Sequence, residues 1–110
     1  MRVCLVLGRL FFKEAEFGGV PSQDEQSPWR RLSPSSKVAE WRTPCLVIHG
    51  AKDFRLVESE GIATFTALQR QGVPSEMLYL PSENHHCLNP QNSIVWHEIV
   101  LGWIRRWINA

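Results

Sequence analysis

Two short segments of this 110-residue chain carry side chains whose types and spacing suit acid–base chemistry. The first is Thr43-Pro44-Cys45-Leu46-Val47-Ile48-His49-Gly50-Ala51-Lys52-Asp53, an apolar run that delivers a carboxylate. The second is Glu83-Asn84-His85, which delivers an imidazole thirty-two residues after Asp53. An acid followed by a histidine gives the last two members of a nucleophilic triad in the chain order Ser, Asp, His. In such a triad the carboxylate holds one ring nitrogen, which fixes the tautomer and stabilises the imidazolium. The other nitrogen then takes the proton of a hydroxyl nucleophile. The nucleophile itself belongs upstream, on a Gly-x-Ser-x-Gly turn. None of the nine serines has glycines at that spacing, so these residues contain no nucleophile of this kind.

Taken singly, each residue has an ordinary reading. Asp53 suits a turn or a helix cap, and His85 suits a surface loop. As a pair following two successive strands, the catalytic reading stands beside those. Glu83 reads as orienting the loop or as solvated, the second being favoured, and Arg55 as the partner of a loop carboxylate or a substrate contact, the pairing being favoured. His49, at the end of an apolar run, reads as a hydrogen-bonded core histidine. His86 and His97 read as peripheral. His85-His86-Cys87 contains metal-ligand types, but adjacent side chains do not easily converge on one tetrahedral ion. No Cys-x-x-Cys or His-Glu-x-x-His accompanies them, so no metal is expected. Gly18-Gly19 is turn chemistry and not a phosphate loop, and no cofactor is expected.

The elements that must position Asp53 and His85 can be read from the pattern. Residues 44–49 are a short apolar run bounded by Pro44 and Gly50, as in a strand buried on both faces of a parallel sheet. Residues 58–71 have helical periodicity. Ile62, Phe65 and Leu68 share one face, with Ala63 and Ala67 beside it. Gly72 and Pro74 are the stop signals. Met77-Leu78-Tyr79-Leu80 is a second strand, which completes one right-handed βαβ unit. Functional side chains of parallel sheets gather just past the C-terminal strand ends. Neighbouring strands lie ~4.8 Å apart, so the loops bearing Asp53 and His85 can meet. Asn89 as cap and Pro90 at the first position open a last helix. Its Trp96, Ile99, Val100, Trp103 and Trp107 form a core-facing apolar stripe, while Glu98, Arg105 and Arg106 face solvent.

The remaining chain says less. Residues 1–16 are an apolar stretch, read as a short strand or leftover sequence and not as a secretory leader, because Gly8-Arg9 interrupts it. Residues 17–40 read as coil with a helical turn or two, capped near Ser33-Pro34. A chain of this length is at most one domain and buries roughly 65% of its unfolded surface. The composition, 44% hydrophobic and 21% charged with a net charge of +1, gives no reason to expect nucleic acid or an anionic membrane as partner. No apolar run approaches the ~20 residues of a membrane span. Three cysteines, Cys4, Cys45 and Cys87, make no disulfide framework.

From about Phe12 to Ala110 the chain resembles the C-terminal end of the prolyl oligopeptidase family of serine peptidases, in its dipeptidyl-peptidase V and acylaminoacyl-peptidase branch. The residues that carry the likeness are Glu16-Phe17-Gly18-Gly19, Trp41 to Gly50, Asp53-Phe54-Arg55-Leu56-Val57, Glu60-Gly61, Leu68 to Pro74, Glu83-Asn84-His85, Pro90-Gln91-Asn92-Ser93 and Trp103. The resemblance implies an α/β architecture, with residues 17–110 forming the C-terminal, incomplete portion of an α/β-hydrolase catalytic domain. It implies hydrolysis of peptide substrates from their N-terminal end, with Asp53 as the triad acid and His85 as the general base. The branch includes secreted enzymes. The family's nucleophile motif, oxyanion donors, first strands and β-propeller are not found in these residues, so the 110 residues alone are expected to be inactive. Two other readings stay open: an esterase of the same fold, and a non-catalytic module that associates, with itself or a partner, through an exposed sheet edge.

Overall fold

The computed structural model describes residues 33–108. The expectations for residues 1–16, and for coil over 17–32, fall outside them. The described residues divide into two units, one running up to Trp41 and one from Arg42 onward. In the first, Pro34–Glu40 form a 3-10 helix. Pro34 sits at its start, where a missing N–H costs nothing. The carbonyl of Ser33 accepts the Ser36 N–H at 3.0 Å and the Ser36 hydroxyl at 2.8 Å. The Ser33 side chain makes no cap bond to a backbone N–H.

The second unit is a βαβ unit followed by a helix. Strand β1 is Cys45–Gly50, helix α1 is Glu58–Arg70, strand β2 is Ser75–Leu80 and helix α2 is Pro90–Ile108. β1 and β2 pair in parallel, in a register that runs from Cys45 opposite Ser75 to Gly50 opposite Leu80. The ladder continues one bond past the strands, from Ala51 N–H to Leu80 C=O at 3.0 Å. Both strands therefore end at the same rim.

Helix α1 packs on both strands. It stops where the sequence says it should. Gly72 adopts φ 68°, the left-handed region that glycine enters without a Cβ penalty. The Gly72 N–H then reaches Gln69 C=O at 3.0 Å, and the Val73 N–H reaches Leu68 C=O at 3.0 Å. This pair of bonds is a Schellman motif. Leu68 and Val73, at its two ends, are both buried.

The core is small. Val47, Leu68, Val73 and Leu80 are its buried apolar side chains. β1 was expected to be covered on both faces. Apart from Val47 and Gly50, its residues are half-buried, because the sheet of the described residues has two strands. Ile62, expected on the covered face of α1, is 46% exposed. No residue of α2 is fully buried. Trp96, Trp103 and Trp107 are half-buried, and the rings of Trp103 and Trp107 lie 5.7 Å apart. Arg106 does not simply face solvent. Its guanidinium pairs with Glu76 on β2 and lies 5.5 Å over the Trp103 ring. Among the described residues, no helix is long and apolar enough to cross a membrane.

Candidate acid–base site

The site is built on the shared rim. After β1 the chain turns at once, with the Asp53 N–H bonded to Gly50 C=O at 3.1 Å. Asp53 then closes the loop on itself: its Oδ1 accepts the backbone N–H groups of Arg55 and Leu56, both at 2.9 Å. Aspartate favours such turns because its short side chain reaches donors two and three residues on. His49 secures the far end of the loop by donating from Nε2 to Leu56 C=O at 3.0 Å. It is half-buried, and its ring lies against Gly61, where an added Cβ would stand 2.8 Å from Nδ1.

The loop after β2 brings His85 to this acid. His85 Nδ1 lies 2.8 Å from Asp53 Oδ2. An ionised carboxylate only accepts, so Nδ1 carries a proton; in the neutral imidazole that leaves the lone pair on Nε2. Among the described residues Nε2 has no hydrogen-bond partner. The Asp53 side chain is 6% exposed and that of His85 34%, so the carboxylate is enclosed while the imidazole opens to solvent. Burial pushes the Asp53 carboxyl up. The Leu56 N–H, the His85 ring and the Arg55 N–H together outweigh burial and hold it below the usual aspartate range. An anion fixed by two backbone donors and facing one ring nitrogen can orient an imidazole as a general base.

The sequence reading of Glu83 as solvated is corrected here. Glu83 is 5% exposed. Its carboxylate accepts the Leu88 N–H at 2.9 Å, the Asn89 N–H at 3.3 Å and the Asn92 side-chain amide at 2.6 Å. The Asn92 bond and then the Leu88 N–H hold its carboxyl below the usual glutamate range, against the opposing effect of burial. A carboxylate so fully provided with donors has no need of water. The signal in the sequence was an acid placed five and six residues before the unpaired N–H groups at the start of a helix. Asn89 caps that helix as expected, its Oδ1 accepting the Gln91 N–H at 2.9 Å.

Arg55 is also corrected. Its backbone N–H binds Asp53, but its side chain is exposed and makes no ion pair among the described residues. His86 and His97 are exposed. The ring of His86 stands edge-on to that of His85 at 5.0 Å. Cys87 and Cys45 are free and half-buried. Gly50 is a site residue that the sequence marked only as a strand boundary. An added Cβ there would lie 2.3 Å from Asn84 O and 2.7 Å from Glu83 O. The two loops come together because this position has no side chain.

The profile of the prolyl oligopeptidase family matches residues 6–110. The chain belongs to the prolyl oligopeptidase family. Within that family it is 48% identical over 95 residues to the dipeptidyl-peptidase 5 of Schizosaccharomyces pombe, a match covering 86% of this chain. It is 46% identical over 100 residues to the probable dipeptidyl-peptidase 5 of Aspergillus clavatus, and 45% identical over 100 residues to the dipeptidyl-peptidase 5 of Aspergillus fumigatus, each covering 89% of this chain. The matches span 14% of the length of these relatives. Membership agrees with an α/β architecture that forms part of an α/β-hydrolase fold.

Proposed function

We propose that these residues supply the acid and the general base of a serine peptidase that releases dipeptides from the N-terminal end of peptide substrates. The observation that carries the reading is the 2.8 Å bond between Asp53 Oδ2 and His85 Nδ1, which leaves Nε2 without a hydrogen-bond partner among the described residues. The dipeptidyl-peptidase names of the relatives support the substrate class. In this reading the serine lies in polypeptide outside the 110 residues. His85 Nε2 removes the proton of the serine hydroxyl as its oxygen bonds to the peptide carbonyl carbon. The imidazolium, stabilised by Asp53, then gives that proton to the departing amine. A water molecule attacks the resulting acyl-enzyme, with Nε2 again as base. His85 thus acts first as base and then as acid, and Asp53 stays ionised throughout.

The test is a hybrid enzyme. This chain replaces the matched segment of the S. pombe dipeptidyl-peptidase 5, and hydrolysis of a dipeptidyl chromogenic substrate is measured. The hybrid is expected to turn over, and His85→Ala in the hybrid is expected to abolish turnover. A folded hybrid without activity, or full activity in His85→Ala, would overturn the proposal.

A further inference from the structure

We infer that Glu83 is a positioning residue for His85: its carboxylate ties together the two ends of the loop that carries the imidazole and so sets the ring against Asp53. The inference rests on the reading of His85 as general base. Three observations converge on it. First, the carboxylate sits two residues before His85 and accepts N–H groups three and four residues after it, from Leu88 and Asn89. His85 therefore lies inside a ring closed by a buried anion. Second, the same carboxylate accepts the Asn92 amide at 2.6 Å, which joins the ring to the first turn of α2. The Asn92 amide also reaches the Ser82 hydroxyl at 3.0 Å. Third, the Glu83 backbone carbonyl accepts the Lys52 N–H at 2.8 Å, one residue before Asp53. One residue thus braces the histidine loop internally, against the following helix and against the acid loop. Among the described residues His85 itself makes one side-chain hydrogen bond, to Asp53. Its placement depends on the backbone that carries it.

The donors around Glu83 suggest a test that preserves shape. Glu83→Gln leaves one acceptor oxygen and turns an NH₂ group toward a donor, either Leu88 N–H or the Asn92 amide. Adding Asn92→Asp exchanges donor and acceptor across the 2.6 Å contact and restores complementarity. Nuclear magnetic resonance of the 110-residue chain reads the His85 Nδ1–H proton without any need for activity. In Glu83→Gln its exchange with water is expected to speed about tenfold, as for loss of one charge-assisted bond. The Glu83→Gln, Asn92→Asp pair is expected to return it to within about twofold of the native rate. In the hybrid enzyme, Glu83→Gln is expected to lower kcat about 100-fold with little change in KM, the signature of a misplaced base. The double variant is expected to recover most of that loss.

An Nδ1–H exchange rate unchanged in folded Glu83→Gln, with a native hybrid that is active, refutes the positioning role and leaves the peptidase reading standing. Accelerated exchange with rescue, in a native hybrid that is folded but inactive, refutes the peptidase reading and leaves the loop clamp standing. Should Glu83→Gln not fold, Asn92→Ala removes a single donor and leaves the carboxylate in place. Exchange accelerated about threefold supports the clamp, and unchanged exchange refutes it.

Discussion

Asp53→Asn is the sharpest perturbation of this site, because the structure dictates how the new amide must sit. Oδ1 accepts two backbone N–H groups at 2.9 Å, and Oδ2 faces His85 Nδ1 at 2.8 Å. An amide has one oxygen. Placed at the Oδ1 position it keeps both backbone bonds and turns its NH₂ toward the imidazole. The flipped amide keeps the imidazole bond and sets its NH₂ against two N–H groups. The difference is at least one net hydrogen bond, about 1 kcal/mol, so the first orientation is favoured by about fivefold or more. Nδ1 then has to accept, and the ring proton moves to Nε2, the nitrogen that must be free to act as base. Long-range proton–nitrogen spectra, recorded where the imidazole is neutral, distinguish the two tautomers. The native chain is expected to show Nδ1–H and Asp53→Asn to show Nε2–H. In the hybrid enzyme kcat is expected to fall about 10⁴-fold, the effect of a wrong tautomer in a serine triad. An Nδ1–H tautomer persisting in Asp53→Asn, or a loss of activity under about tenfold, would refute the reasoning.

Gly50→Ala forces a Cβ to 2.3 Å from Asn84 O, a backbone atom that cannot turn away. Urea unfolding is expected to show a loss of about 3 kcal/mol, the upper end of overpacking costs. Gly72→Ala meets nothing within 4 Å and suffers only from φ 68°. Its cost is expected near 1 kcal/mol, clearly below that of Gly50→Ala in the same assay. Asp53 and Glu83 both have folded-state carboxyls held below their ordinary range. Their contribution to stability is therefore complete above that range and is lost as pH falls through the depressed folded values. Acid unfolding followed by circular dichroism is expected to show this loss, and Asp53→Asn is expected to flatten it. Arg106→Ala breaks an ion pair whose side chains are 57% and 50% exposed, so its cost is expected to stay under about 1 kcal/mol in urea unfolding.

What the sequence disclosed and what it hid follow from the range of the interactions involved. The strand at Cys45–Gly50 and the stop at Gly72 were legible because short apolar runs and glycine stops are local signals. Asp53 and His85 were legible as a pair because parallel strands impose a common rim. Glu83 was misread because its partners Leu88, Asn89 and Asn92 lie up to nine residues further on, and a charged side chain defaults to solvent until such donors are seen. Ile62 and the α2 tryptophans show another limit. Periodicity says which face of a helix is apolar. It does not say what covers that face, and here Ile62 is 46% exposed.

Gly50 faces Leu80 on the last rung of the ladder, and from that rung Asp53 stands three residues along its chain and His85 five. Both catalytic candidates are thus measured from one origin. The turn joining α1 to β2 lies at the opposite end of the strands. An insertion there can lengthen the crossover and leave the separation of acid and base untouched, whereas a single residue inserted between Gly50 and Asp53 shifts one against the other. Over evolutionary time, lengths should therefore drift freely on one side of this sheet and stay frozen on the other.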